Sequence, residues 1–110
     1  MKLSVSLVTM NQKEKLRDCL KSLFNSEVKD IEVIVVDNNS RDGTSEMVKK
    51  EFGEVRLITN LRNLGFSKAH NQAIKISRGE YVLVLNDDIV VKRGVLSSML
   101  SFLENNPNVG

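Results

Sequence analysis

The chain has 110 residues, the size of one small domain with a single core. Its 16 Lys and Arg residues nearly balance its 14 Asp and Glu residues, and the scattered basic residues argue against nucleic acid as the main partner. The single cysteine, Cys19, excludes an intramolecular disulfide and fits a reducing compartment. No apolar run approaches the ~20 residues needed to cross a bilayer. We therefore expect a soluble chain, either cytoplasmic or peripheral to the inner face of the membrane.

Two strand and helix pairs are predicted in the first half of the chain. Residues 2–9 alternate as a strand does, and residues 12–25 carry apolar side chains at helical spacing, with Asn11 as the expected N-cap. Residues 31–36 are apolar nearly throughout, which is typical of a strand covered on both faces of a parallel sheet. After a segment rich in turn formers, Thr44 is the expected N-cap of a second helix.

The second half of the chain repeats the alternation. Residues 55–59 are predicted as a short strand, and a polar loop leads to a third helix at about 67–77, which Gly79 is expected to end. The apolar run 81–85 is the fourth strand, which we expect to be buried, and residues 95–104 again show the helical period. This order predicts an α/β fold, a parallel sheet with right-handed crossovers and helices on both faces.

Polar residues follow each of the four predicted strands. In sheets of this kind ligands bind outside the carboxyl ends of the strands, so we expect the binding chemistry there. The alternative is that strand ends are simply loops, which are generally polar. In chain order the candidates are Thr9, Met10 and Asn11; Asp37, Asn38 and Asn39; Asn60, Arg62, Asn63 and Gly65; and Asn86, Asp87 and Asp88.

Asp87 and Asp88 form an adjacent pair of carboxylates at the end of the fourth strand. Neither of the two common glycine-rich phosphate loops occurs in the sequence, so a bound diphosphate would need a divalent cation. Oxygen ligands suit Mg²⁺ or Mn²⁺. Adjacent residues in an extended strand point to opposite sides, so we expect only one of the two to bind the metal directly. A capping or turn aspartate is the structural alternative.

Five other residues have side chains that could take part in a site. Asp37 could accept hydrogen bonds from a ribose or a base. Arg62 could pair with phosphate, although a loop arginine is more often solvated. His70 and Lys68 could face the cleft from the third helix, but a helix histidine without a catalytic role is the commoner case. Cys19 lies in an apolar helical stripe and is better explained as core than as a nucleophile.

Three segments, in this order and spacing, resemble the N-terminal half of family 2 glycosyltransferases, particularly the rhamnosyltransferase-like branch: VSLVTMNQKEKLRDCLKSL, IEVIVVDNNSRDGTSEMV and NLRNLGFSKAHNQAIKISRGEYVLVLNDDIVV. The resemblance covers essentially the whole chain. It implies the GT-A fold, a Rossmann-like parallel-sheet α/β/α sandwich, as one nucleotide-sugar-binding domain over residues 1–110. It also implies a UDP- or dTDP-linked donor, a saccharide or lipid-linked acceptor, and inverting transfer.

The resemblance also implies roles for individual residues. Asn86-Asp87-Asp88 matches the family's D-x-D motif with Asn in the first place, so Asp88 is the expected ligand of Mg²⁺ or Mn²⁺. His70 stands where Asn or Gly is more usual, which leaves its role open. The residues that match nucleotide-binding positions are Thr9, Asn11, Asp37, Asn38, Asn63, Gly65, Asn71, Asn86 and Asp87.

Family members continue into an acceptor-binding half that carries the general base, and no catalytic base is assigned within the sequence to Gly110. The chain would then be a fragment, a natural truncation, or a protein that finds the missing half in a partner chain or in a homo-oligomer. The main alternative is a non-catalytic module that binds a nucleotide or self-associates. A receiver-type phosphoacceptor domain is more distant, because it needs an acidic pair after the first strand, where this chain has Met10-Asn11.

Overall fold

The computed structural model describes residues 2–106, so Gly110, where the sequence ends, lies outside the described residues. Every predicted strand and helix is present, with small shifts at the ends. The elements are β1 (Leu3–Thr9), α1 (Lys13–Phe24), β2 (Ile31–Asp37), α2 (Thr44–Glu51), β3 (Arg56–Thr59), α3 (Phe66–Ile76), β4 (Tyr81–Asn86) and α4 (Val95–Asn105). Over the described range no helix combines the length and apolarity needed to span a membrane.

The four strands form one parallel sheet in the order β3-β2-β1-β4. The chain proceeds outward from β1 to β3 and then returns to place β4 on the other side of β1, so the order reverses between β1 and β4. The register sets Thr9 beside Asp37 and Val8 beside Asn86. Open α/β sheets bind ligands at such a reversal, outside the carboxyl ends of the strands. The predicted Rossmann-like sheet is confirmed, and its topology brings three of the predicted polar strand ends to one edge.

The two faces of the sheet are packed differently. Val5 and Leu7 of β1 belong to the larger core, together with the apolar stripe of α1 and buried residues of α2 and α4. The smaller cluster contains Ile34 and Val36 of β2 with Ala69 of α3. Helices therefore cover both faces, as predicted. The alternation of β1 decides which side chains meet α3, and these include the polar Ser6.

The expectation that β4 is buried was wrong for one of its faces. Val82 and Val84 are 39% and 46% exposed, and β4 has a neighbouring strand on one side only within the sheet of residues 2–106. The physical reason is that α3 packs on β1 and β2. An apolar strand sequence predicts that both faces can be covered, but it does not say which neighbour covers them.

Three expected helix boundaries are made in other ways. Asn11 does not cap α1: its φ of 54° is left-handed, and Gln12 is the residue that precedes the helix. Thr44 is the first residue of α2, and Asp42 Oδ1 accepts a hydrogen bond from its backbone N at 3.2 Å. Gly43 is the residue that precedes α2, and the Asp42 carboxylate accepts from the first backbone N–H of the helix, so Thr44 is not the N-cap. The third helix ends before Gly79, and that glycine instead packs closely against the backbone of Leu3 and Ser4 in β1.

Candidate functional site

A shallow groove of about 270 Å³ lies at the carboxyl ends of β1 and β4, where the strand order reverses. It is lined by Val8, Thr9, Met10, Asn38, Asn63, Gly65, Phe66 and Asp87. A larger cavity of about 450 Å³ lies at the opposite end of the sheet, near Val28 and Ile31. We place the candidate site in the smaller groove, because the polar strand ends converge there.

Asn38 is the buried residue that holds the loops on one side of the groove together. Its Oδ1 accepts hydrogen bonds from Asn60 Nδ2 at 2.9 Å and from the backbone N of Leu64 at 3.4 Å. Its Nδ2 donates to the carbonyl oxygen of Gly65 at 3.2 Å. Asn60 in turn forms a reciprocal amide pair with Gln72 of α3, at 2.8 and 2.9 Å. A single amide therefore joins the loop after β2 to the loop after β3.

The loops after β1 and β2 are also fastened to each other. The backbone N of Asn11 donates to Ser40 Oγ at 2.8 Å, and Asn11 Oδ1 accepts from the backbone N of Arg41 at 2.7 Å. The buried carboxylate of Asp37 accepts from the backbone N of Ser40 at 2.9 Å and from Ser45 Oγ at 2.5 Å. Both Asp37 oxygens thus organise the loop, and they hold the start of α2 in place.

The loop before α3 requires glycine at one position. Gly65 has φ 83° and ψ 167°, a region that is essentially restricted to glycine. Its backbone N donates to Asn63 Oδ1 at 2.8 Å, which closes a tight turn. The next residue, Phe66, is 56% exposed and lines the groove. The N-x-G segment therefore aims an aromatic ring at the site.

Asp87 and Asp88 lie in a turn rather than in extended strand, so the expectation that their side chains point to opposite sides does not apply. Asp87 is partly buried and lines the groove, whereas Asp88 is exposed. Burial raises the pKa of the Asp87 carboxyl, and the charge of Asp88 raises it further, while the Thr9 hydroxyl lowers it. Thr9 Oγ1 is buried without a hydrogen bond of ordinary geometry. This hydroxyl and the adjacent carboxylate form the floor of the groove.

The sequence profile of glycosyl transferase family 2 matches residues 4–110. The chain belongs to this family. An uncharacterized glycosyltransferase of Methanocaldococcus jannaschii is 32% identical, over 96% of this chain and 38% of the relative. The GalNAc(5)-diNAcBac-PP-undecaprenol beta-1,3-glucosyltransferase of Campylobacter jejuni is 33% identical, over 90% of this chain and 33% of the relative.

Solved structures of glycosyltransferases share the fold of this family 2 chain. TarS of S. aureus superposes with a TM-score of 0.87 at 29% identity, over 96% of this chain and 33% of that one. TarS has also been solved in complex with UDP-GlcNAc, for which the TM-score is 0.83. A mannosyltransferase of Pyrobaculum calidifontis, solved with GDP-Man and Mn²⁺, has a TM-score of 0.85 over 93% of this chain and 32% of that one. At 24% identity this last structure supports the fold alone.

The chain spans about a third of the length of each of these relatives and structures. These matches show the fold class and the family of this domain, and the relatives are named as glycosyltransferases. The activity, substrates and partners of a whole protein are matters for proposal.

The groove brings together five of the residues predicted to bind the nucleotide, and the other positions fall around it. Asn11 and Asp37 do not line the groove but fasten its loops. Asn86 ends β4, and Asp88 is exposed in the turn that follows. Asn71 is exposed on α3 and is not part of the groove lining. The five that line the groove are Thr9, Asn38, Asn63, Gly65 and Asp87. The ligand contacts of all these residues stay predictions.

Two residues of the site region were not singled out by the sequence as ligand-binding candidates. Phe66 is an exposed apolar residue on the groove, and its exposure became visible only in the fold. Gln72 completes the buried amide network from α3. The signal that the sequence did offer for Phe66 was its position directly after Gly65, at the start of the third helix. The network of Gln72 had no local signal, because its partner Asn60 lies on a different loop.

Two uncertain residues are now placed. Cys19 is fully buried, and burial with the nearby charges of Asp87 and Asp88 raises its thiol pKa to about 12, so it is a core residue and not a nucleophile.

His70 is 4% exposed and faces β1, with Nδ1 2.6 Å from Ser6 Oγ. Its ring meets Phe66 edge-on at 4.3 Å between centroids. His70 Nε2 is buried without a hydrogen-bond partner among the described residues. The His70 ring thus packs against Phe66, the aromatic residue that lines the groove.

The buried histidine predicts how stability depends on pH. Burial lowers the pKa of His70, so the folded chain binds this proton less tightly than the unfolded chain does. Its contribution to the free energy of unfolding is therefore complete above about pH 6.5, and it is lost progressively as the pH falls below that value. Urea unfolding at about pH 7.5 and pH 5.5 should show this loss for the parent chain and a smaller loss for His70→Asn. Equal losses in the two chains would contradict the assignment.

Proposed function

We propose that this domain binds the nucleoside diphosphate of a UDP- or dTDP-linked sugar in the groove between the ends of β1 and β4. The observation that carries the proposal is the convergence of Thr9, Asn38 and Asp87 at the reversal of strand order, on loops that buried hydrogen bonds hold in place. The UDP-GlcNAc complex of TarS, a relative in fold and sequence, supports the class of ligand. The name of the Campylobacter relative supports a lipid-linked saccharide as acceptor.

The acidic turn fits a divalent cation such as Mg²⁺ or Mn²⁺. Two adjacent carboxylates offer only oxygen ligands, and partial burial raises the pKa of the Asp87 carboxyl, so a cation there would be favourable. No group of three metal-ligating His, Cys, Asp or Glu side chains occurs among residues 2–106. Water and phosphate oxygens would therefore complete the coordination, which is the usual arrangement for Mg²⁺. We propose Asp88 as the direct ligand because its exposed carboxylate is accessible, with Asp87 in support.

Within a transferase, the chemistry of this domain would concern the leaving group. A bound divalent cation stabilises the charge of a departing nucleoside diphosphate. The residues of this chain bind and orient the donor: Asn38 and Gly65 shape the pocket, and Thr9 places a hydroxyl beside the Asp87 carboxylate. No general base is assigned among the described residues, so we propose that acceptor activation requires more protein than this chain.

Titration calorimetry with UDP, with and without Mn²⁺, tests the proposed function. We expect binding that depends on the metal and that weakens at least about tenfold in Asp88→Ala, because a lost carboxylate ligand costs more than about 1.4 kcal/mol. Thymidine diphosphate in the same titration reports the base preference. Asp18→Ala removes an exposed carboxylate from α1 and serves as the matched control. UDP affinity that does not depend on Mn²⁺, or that is the same in Asp88→Ala and the control, would refute the proposal.

Self-association, through a homo-oligomer or with a chain that supplies the missing half, is the second candidate function. Exposed apolar side chains near β4 and α4 favour it, among them Val90 and Phe102 at 61% and 55% exposure. Sedimentation velocity that shows only a monomer at high concentration would count against it. The cytoplasmic or membrane-peripheral location remains a prediction.

A further inference from the structure

Helix α1 packs against the carboxyl end of β4, which places one of its lysines beside the acidic turn. Cys19 Sγ lies 4.0 Å from the carbonyl oxygen of Asn86, the residue directly before Asp87. Lys15 precedes Cys19 by four positions and therefore lies on the same face of the helix, one turn nearer the helix start. That start follows the carboxyl end of β1, so the turn that carries Lys15 is level with Asp87 and Asp88 rather than with the body of the sheet.

Lys15 is also available to a ligand, unlike the arginine two positions later. Arg17 is held by Glu51, with N–O distances of 2.9 and 2.8 Å, and by Glu14. Lys15 is exposed and forms no direct ion pair with a carboxylate among residues 2–106. Its ammonium can therefore move toward an anion in the groove without breaking an existing bond.

A nucleoside diphosphate at this turn would leave negative charge uncompensated. The two carboxylates and the diphosphate together carry more negative charge than one divalent cation can neutralise. Burial in the groove makes that excess more costly than it would be in water. A flexible, cationic side chain beside the turn meets this requirement.

We propose that Lys15 is a further donor-binding residue, whose ammonium contacts the diphosphate at the Asp87–Asp88 turn. The inference rests on the proposed function and adds to it a residue to which no sequence pattern gave a role. Lys15 would act on the second phosphate, whereas the loops built on Asn38 and Gly65 would hold the nucleoside.

The experiment compares Lys15→Gln with the parent chain by calorimetry, using UDP with Mn²⁺, UMP with Mn²⁺, and Mn²⁺ alone. We expect the Kd for UDP to rise about tenfold, since a charge-assisted hydrogen bond to the second phosphate is lost. UMP affinity should change little, because UMP lacks that phosphate. Affinity for Mn²⁺ alone should stay equal or increase, because a repelling charge is removed from beside the carboxylates. Lys15→Arg keeps the charge and should retain most of the UDP affinity.

Lys21→Gln is the matched control, because Lys21 is an exposed lysine in the last turn of the same helix. The inference is overturned if Lys15→Gln and Lys21→Gln bind UDP equally well. It is also overturned if Lys15→Gln weakens UDP and UMP alike, or if it weakens Mn²⁺, since a general structural defect would do either. A parent chain that binds no UDP at all would overturn the proposed function as well. Normal UDP binding by both glutamine variants would refute only the role of Lys15.

Discussion

Gly79→Ala is expected to destabilise the chain by about 3 kcal/mol, near the upper end of the cost of overpacking a core. A Cβ at this position would lie 2.6 Å from the backbone N of Ser4, 2.7 Å from Ser4 Oγ and 2.8 Å from the carbonyl carbon of Leu3. Two of these three atoms belong to the backbone of β1, the strand that pairs with both β2 and β4. That backbone cannot move aside without breaking the sheet ladder on both sides.

The same substitution would disturb a buried polar cluster at the amino end of the sheet. The backbone N of Gly79 donates to Ser4 Oγ at 2.8 Å, and Ser4 Oγ donates to the buried carboxylate of Glu32 at 2.5 Å. Arg56 Nη1 also reaches Glu32, at 3.1 Å. Displacing Ser4 would therefore leave a buried carboxylate with fewer donors, which adds to the steric cost.

Urea unfolding measures this effect, and Gly53→Ala is its control. A Cβ at Gly53 would meet no atom within 4 Å, so that substitution should change the free energy of unfolding little. If the two alanine variants unfolded at the same urea concentration, the close approach of Gly79 to β1 would not be a real constraint of the fold.

Asn38→Ala is the second substitution with a large expected effect, because it removes the amide that joins two loops of the groove. The substitution removes the three hydrogen bonds that the Asn38 amide forms, with the carbonyl oxygen of Gly65, with Asn60 Nδ2 and with the backbone N of Leu64. At about 1 kcal/mol for each hydrogen bond, the loss should cost about 2–3 kcal/mol together. Affinity for UDP with Mn²⁺ should also fall, because Gly65 and Phe66 line the groove from the loop that would be released.

Two further variants make the effect of Asn38 specific. Asn38→Asp keeps the acceptor for Asn60 but removes the donor to Gly65, so its stability should fall between those of the parent and of Asn38→Ala. Asn105→Ala removes an exposed amide from α4 and should change neither stability nor affinity. Chemical unfolding and calorimetry together provide the two measurements. A stability loss without any loss of affinity would show that the loop network supports the fold but not the groove.

The local pattern of the sequence predicted every strand and helix, because the apolar residues of each element recur at short, regular spacing. It failed at the helix starts, where several side chains compete for the same backbone groups. Gly43 and not Thr44 precedes α2, with the first helical N–H donating to Asp42, and Asn11 adopts a left-handed conformation that lets it hold the neighbouring loop. These choices depend on what a side chain can reach across loops, which no local pattern contains.

By itself, the sequence determined that strands and helices alternate, that each strand ends in polar residues, and that the chain resembles glycosyl transferase family 2. The tertiary structure alone decided which strand ends meet. The order β3-β2-β1-β4 sets Thr9 beside the acidic turn, buries Asn38 where it joins the loops after β2 and β3, and leaves one face of β4 open. It also packs the face of α1 that carries Cys19 and Lys15 against the end of β4. The periodicity of a segment shows only which of its own faces is apolar and which is polar. A site is built from contacts between segments that are far apart in the chain.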